Sequence, residues 1–102
     1  MSVTNIRDAK SPFEVLETSA LTQSAVMRIA PGDSSGPKAN EHAESEQVLY
    51  IVEGELYAEI GDRSFTMRPG DSVLVSRKVP HKFTNRGLKT ALTFNVYSPP
   101  AY

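Results

Sequence analysis

The sequence predicts an all-β fold built as a single domain, and three observations support this prediction. Apolar and polar residues alternate with a period of two along most of the chain, which is typical of half-buried strands. Clusters of Gly, Pro, Asn and Asp interrupt the alternation about every 8–12 residues, a spacing typical of sandwiches and barrels. The chain has 102 residues, enough for one hydrophobic core and hardly for two. We therefore assign residues 1–102 to one β-sandwich or barrel.

Eight strands are predicted between the turns. The pattern is clearest in the fourth strand, where every second residue from Leu56 to Ile60 is apolar. Turn chemistry at Gly54, at Gly61 and at residues 69–71 separates the middle strands. The irregular stretch before the third strand fits either a functional loop or a plain surface connection. In chain order the predicted strands are 13–19, 24–30, 47–52, 55–60, 64–67, 72–75, 82–84 and 90–97, and the irregular stretch is 31–40.

Composition excludes several kinds of site and partner. Because the chain has no cysteine, any metal ligand must be a histidine, a carboxylate, an amide or water. The formal net charge of −1 argues against nucleic acid or a membrane surface as partner, since both favour basic patches. No apolar run is long enough to span a bilayer, and the polar N-terminal segment lacks the apolar stretch of a secretory signal. We expect a cytoplasmic protein.

The charges are segregated along the chain. Residues 40–62 contain seven acidic residues and no Lys or Arg, whereas residues 63–89 contain seven basic residues and one acidic residue. One interpretation is that neighbouring strands pair opposite charges across a sheet. The other is a basic lip that attracts an anionic ligand.

Two histidines, His42 and His81, are the main candidates for a functional site. Each is predicted to lie at the mouth of a strand. Since residues i and i+2 of a strand share a face, Asn40 is expected to point the same way as His42. Phe83 and Asn85 are expected to point the same way as His81 for the same reason.

These two segments resemble the paired motifs of the cupin superfamily, which folds as a double-stranded β-helix, a jelly-roll-like barrel. In the family's first motif a His-x-His pair is followed by Glu and then by Gly. Counting back from Gly54 by the family spacing places Gln47 at the Glu position, His42 at the second His and Asn40 at the first. The second family motif is a glycine, a turn, a histidine and an asparagine. The residues here that resemble it are Gly61, the turn at 69–71, His81 and Asn85. The resemblance implies a barrel core at about 24–97, with strand 13–19 available for a dimer interface.

The resemblance also implies a metal site, with departures from the family pattern. The family's usual ligands are three His and one Glu, and the corresponding residues here are Asn40, His42, Gln47 and His81. Glu44 is the alternative ligand if the register shifts so that His42 and Glu44 form the His-x-His pair. Such a set suits a divalent ion, Zn, Ni, Mn or Fe, with water completing the coordination, and does not choose among them.

A pocket is expected around these residues. Leu49 and Ile51 continue the inward face from Gln47 and are predicted to form its floor. Phe83 and Asn85 share the face of His81 and are predicted to line it.

Two hypotheses for function follow from the resemblance. The first is a small metal-dependent enzyme of the dioxygenase, isomerase or lyase type that acts on a small polar molecule. The second is a metal-free module that binds or senses a small molecule without catalysis. Under either hypothesis we expect a homodimer that covers sheet edges, with the segments 13–21 and 90–97 taking part.

Overall fold

The computed structural model describes residues 3–39 and 42–102. All eight predicted strands are present, and each end lies within one residue of its predicted position. The described part of the chain contains no helix with the length and apolar character needed to cross a bilayer. The elements are a 3-10 helix, Ile6–Asp8, and the strands β1 Phe13–Thr18, β2 Gln23–Ile29, β3 Glu46–Glu53, β4 Leu56–Ile60, β5 Arg63–Met67, β6 Ser72–Val75, β7 His81–Thr84 and β8 Ala91–Ser98.

The strands form two antiparallel sheets that enclose one core, so the predicted all-β, single-domain fold is confirmed. The larger sheet has the order β1-β2-β8-β3-β6, and the smaller has the order β5-β4-β7. Alternation decides which side of a strand faces inward, even in the apolar run of β3. There Leu49 and Ile51 are buried in the core, whereas Val48 and Tyr50 face solvent.

The topology corrects one expectation about sheet edges. β8 is hydrogen-bonded to β2 on one side and to β3 on the other. The prediction that segment 90–97 helps to cover a free edge is therefore wrong, because this strand lies inside its sheet. Among the described strands of the larger sheet, β1 and β6 occupy the edges.

The segregated charges meet across neighbouring strands. Glu59 of β4 lies directly opposite Lys82 of β7 in the register of the smaller sheet. Arg68 forms an ion pair with Glu55 at 3.6 Å. These contacts favour cross-strand pairing as the reason for the acidic and basic runs.

Gly54 joins β3 to β4 in a position that excludes any other residue. Its φ is +79°, and a Cβ built there would lie 2.8 Å from the Cα of Ala91. Gly70 has a comparable φ of +93° but open space around it. A substitution at Gly70 would therefore introduce backbone strain alone, whereas one at Gly54 would introduce the same strain and a steric clash.

We expect Gly54→Ala to lower the free energy of unfolding by about 2–4 kcal/mol, because strain and overpacking add. Gly70→Ala supplies the matched control and should cost about 1 kcal/mol, the price of a positive φ alone. Urea denaturation of both variants measures the difference. Equal losses would show that the approach of Ala91 relaxes without cost.

Candidate functional site

A cavity of about 40 Å³ lies at one end of the barrel. His42, Gln47 and His81 line it together with four aromatic residues, Phe13, Phe83, Tyr97 and Tyr102. The two sequence motifs, which are far apart in the chain, therefore meet at one site.

His42 lies in a turn immediately before β3 and not in a strand. The expected strand alternation therefore does not apply to His42 and Glu44. The ring of His42 is buried, and its Nδ1 lies 3.2 Å from the carbonyl oxygen of Ser45. Because a carbonyl only accepts, Nδ1 is the donor in this contact.

His81 is the first residue of β7 and is held by its neighbours on both sides. It pairs with Ile60 of β4, and it forms an isolated bridge to Ala39. Its Nδ1 lies 3.0 Å from the carbonyl oxygen of Val79, so Nδ1 is the donor in this contact too.

Three polar atoms meet where the rings converge. His42 Nε2 lies 3.0 Å from His81 Nε2 and 2.8 Å from Gln47 Oε1. Both contacts are within hydrogen-bond distance, and a proton on one of the ring nitrogens satisfies them. Two imidazole nitrogens and an amide oxygen are also groups that can coordinate a divalent ion once that proton is lost.

Gln47 presents its oxygen to the imidazoles because of a chain of hydrogen bonds behind it. Gln47 Nε2 donates to Asn95 Oδ1 at 2.9 Å, and Asn95 Nδ2 donates to Thr93 Oγ1 at 2.9 Å. The Thr93 hydroxyl donates to the carbonyl oxygen of Met27 at 3.2 Å. Since that carbonyl can only accept, the direction of every bond in the Gln47–Asn95–Thr93 chain is fixed. The chain ends with Gln47 Oε1 aimed at the two rings.

The other predicted site residues are distributed unevenly. Phe83 lines the cavity, whereas Leu49 and Ile51 are packed in the core and do not belong to the described lining. Asn85 is buried away from the cavity, where its side chain donates to the carbonyls of Ile29 and Lys89.

Two candidate ligands remain. Glu44 is exposed in the turn that carries His42 and is absent from the described lining, and Asn40 lies outside the described residues. Within residues 3–39 and 42–102 no three His, Asp or Glu side chains gather closely enough to hold a metal ion. The third donor of the described site is the Gln47 amide.

Sequence reasoning missed the contribution of β8 to the site. Thr93, Asn95 and Tyr97 alternate along this strand, and all three are buried. The sequence did offer one indication, which is the presence of polar residues at inward positions of an otherwise apolar strand. Because a buried amide needs a hydrogen-bond partner, such residues suggest a polar site nearby. Tyr102 could not be found this way, because no periodicity relates it to the strands.

Comparison with known proteins agrees with the architecture. A family model described as the cupin domain matches residues 25–97. The chain is similar to polyketide synthase CurC from Streptomyces cyaneus, with 29% identity over 97 residues that cover 95% of this chain. It spans 60% and 38% of the lengths of two curated relatives, CurC and an uncharacterized protein of Methanocaldococcus jannaschii.

Solved structures show the same fold. A crystal structure from Bacillus halodurans has a TM-score of 0.88 at 22% identity, covering 99% of this chain and 83% of that one. A sugar phosphate isomerase of the cupin superfamily from Silicibacter pomeroyi has a TM-score of 0.70 at 23% identity, covering 78% of this chain and 52% of that one.

Proposed function

The chain belongs to the cupin domain family, and on that basis we propose that it binds one divalent metal ion at His42, His81 and Gln47. The observation that carries this proposal is that His81 Nε2 and Gln47 Oε1 both lie within 3.0 Å of His42 Nε2. A bound divalent ion supplies a Lewis acid that polarises a carbonyl or hydroxyl oxygen of a ligand.

The protein's own residues hold and orient the site. The carbonyls of Ser45 and Val79 accept from Nδ1 of each ring, which orients both Nε2 atoms to coordinate an ion. Burial of the two imidazoles limits access of water to the site. The aromatic residues around them form the wall against which a small organic ligand packs.

We propose a small molecule with carbonyl or hydroxyl oxygens as the ligand, and a dioxygenase, isomerase or lyase type of reaction. One relative is named a polyketide synthase, and one structural neighbour a sugar phosphate isomerase. Both names imply substrates rich in such oxygens, which is the ligand chemistry that a divalent ion supports.

Metal titration tests the proposal directly. Untagged protein is stripped with a chelator, dialysed, and titrated by calorimetry with Zn²⁺, Ni²⁺, Mn²⁺ and, without oxygen, Fe²⁺. We expect one ion per chain for at least one of them, with binding reduced at least 100-fold in His42→Ala. Stoichiometry near zero with all four ions would overturn the proposal.

The second candidate function is a metal-free module that binds a small molecule. It is favoured by the neutral donor set, since Gln47 stands where the family motif has Glu. Thermal-shift measurements with a chelator present separate the two candidates. Stabilisation by an organic ligand under those conditions supports the module, whereas stabilisation by metal alone speaks against it.

We also propose that two copies of the chain associate through β1. This strand lies at an edge of the larger sheet and exposes Val15, and free edges favour pairing with another chain. Light scattering should give twice the chain mass of 11.2 kDa. We expect Val15→Lys to shift the mass toward the monomer while Leu88→Lys, at an exposed loop position, leaves it unchanged.

A further inference from the structure

A row of aromatic rings leads from the surface to the imidazoles. The ring centroids of Phe13 and Tyr102 are 4.7 Å apart, those of Tyr102 and Tyr97 are 5.1 Å apart, and those of Tyr97 and His42 are 5.2 Å apart. Tyr97 is 2% exposed, whereas Tyr102 is 56% exposed. The row therefore starts at solvent and ends at a candidate metal ligand.

Tyr102 fills a space that we name the aromatic slot, between the rings of Phe13 and Tyr97. The segment that carries it, residues 99–102, follows β8 and belongs to no strand. One buried side chain makes three hydrogen bonds to this segment. Gln23 Oε1 accepts the backbone N–H groups of Ala101 and Tyr102, at 3.1 and 2.9 Å, and Gln23 Nε2 donates to the carbonyl oxygen of Tyr102 at 2.8 Å.

The cavity beside the slot is too small for an organic ligand. Its volume of about 40 Å³ has room for an ion and a few water-sized groups. An organic molecule must therefore displace part of the wall. Residues 99–102 belong to no strand, so they can leave without breaking a strand ladder. Their contacts include the Gln23 bonds, the two rings and a bond from Ser45 Oγ to the Pro99 carbonyl.

We propose that the ligand is a planar molecule of at least two aromatic rings with adjacent oxygen donors at one end. Its outer ring takes the aromatic slot in place of Tyr102, and its oxygens reach the site at His42 and His81. Residues 99–102 act as the closing segment that the ligand displaces. This proposal rests on the metal site proposed above.

The ring spacing determines the size of the ligand. Tyr102 contacts Tyr97, which in turn contacts His42, so we expect a ligand that spans from the slot to the imidazoles to need more than one ring. The polar side chains of the described lining are Ser35, Gln47, two histidines and two tyrosines, and the lining includes no Lys or Arg that would hold a phosphate beside the ion. Phe13 and Tyr97, which contact the Tyr102 ring in tilted and edge-on arrangements, instead favour an aromatic ring in the slot.

Two probes with identical donors isolate the slot. Catechol carries adjacent hydroxyls on one ring, and 2,3-dihydroxynaphthalene carries the same pair on two fused rings. Both are titrated into the Zn²⁺-loaded protein, since Zn²⁺ has no redox chemistry with them. We expect the naphthalene to bind at least about tenfold more tightly than catechol, with glucose 6-phosphate weaker than both.

Variants of the closing segment give the second readout. Removing a competing ring raises the fraction of protein whose slot is open, which tightens the apparent affinity in proportion. We expect Tyr102→Ala to bind the naphthalene at least about tenfold more tightly than wild type, and Gln23→Leu to change it in the same direction. Tyr50→Ala, which removes an exposed tyrosine from the outer face of β3, is the matched control and should leave the affinity unchanged.

The outcomes separate this inference from the metal proposal. If Zn²⁺ binds normally but the two probes bind equally well, or Tyr102→Ala does not bind the naphthalene more tightly, the proposal for the aromatic slot is wrong and the metal proposal stands. If the naphthalene still binds tightly in the presence of a chelator, the slot is supported and the metal site is contradicted. Tighter binding of the sugar phosphate than of either probe overturns the ligand class.

Discussion

His81→Leu should abolish the stabilisation that metal gives to the protein while costing the metal-free protein only about 1–3 kcal/mol. In the absence of an ion, His81 Nε2 is in hydrogen-bond contact with His42 Nε2 at 3.0 Å, and the variant loses this contact. It also loses the bond from His81 Nδ1 to the Val79 carbonyl. Leucine keeps the buried position filled, so we expect no cavity to add to these two losses.

With metal present the result reverses. An ion at a thousandfold excess over its Kd stabilises a binding-competent protein by about 4 kcal/mol. Wild type should show this gain in denaturant titrations, and His81→Leu should not. Lys82→Leu, on the adjacent and outward-facing position of β7, is the control and should keep the full gain. A variant that loses several kcal/mol in chelator would show that His81 serves mainly to support the fold.

Asn95→Ala should weaken metal binding about 10–100-fold, the usual effect of removing a group that orients a ligand. Without Asn95, Gln47 Nε2 loses its acceptor and the amide is no longer held with its oxygen toward the rings. Thr93→Val removes only the hydroxyl at the far end of the Gln47–Asn95–Thr93 chain. It should give a smaller loss of the same sign.

Asn85→Ala is the control that distinguishes loss of the Gln47 orientation from a general loss of protein stability. Asn85 and Asn95 are both almost fully buried, and each has its amide hydrogen-bonded on both sides. Both alanine variants should lose about 1–3 kcal/mol of stability, because buried partners are left unpaired. Only Asn95→Ala should change the metal affinity measured by calorimetry. Equal affinities in the two variants would assign Asn95 a purely structural role.

The sequence predicts the strands well because each strand follows from the local alternation of apolar and polar residues. Each turn follows from local residues that favour turns, such as Gly, Pro and Asp. Part of the site was predictable for a related reason, because the spacing from His42 to Gln47 and Gly54 places His42 and Gln47 at one end of a strand. The turn around His42 was not predictable, because alternation does not show where a strand begins. The hydrogen bond between Gln47 on β3 and Asn95 on β8 connects two neighbouring strands. Such a contact depends on the order of the strands in the sheet, which spacing along the chain does not reveal.

The aromatic row was out of reach of sequence reasoning for a different reason. Phe13 and Tyr102 lie near opposite ends of the chain, and they meet only because residues 99–102 turn back over the barrel. The buried amide of Gln23 holds that reversal. A glutamine at the start of a strand gives no sign that its partner is the backbone of residues about eighty positions away.

The neutral amide at position 47 has a consequence for charge balance. Two imidazoles and a carboxamide leave the charge of a divalent ion uncompensated by these three ligands, whereas a Glu at this position would cancel half of it. A ligand that arrives as an anion, such as a diol that loses its protons on binding, then completes the neutralisation itself. Affinity for such a ligand should fall in Gln47→Glu even if the ion is held more tightly, so retention of the metal and capture of the ligand would respond to this one substitution in opposite directions.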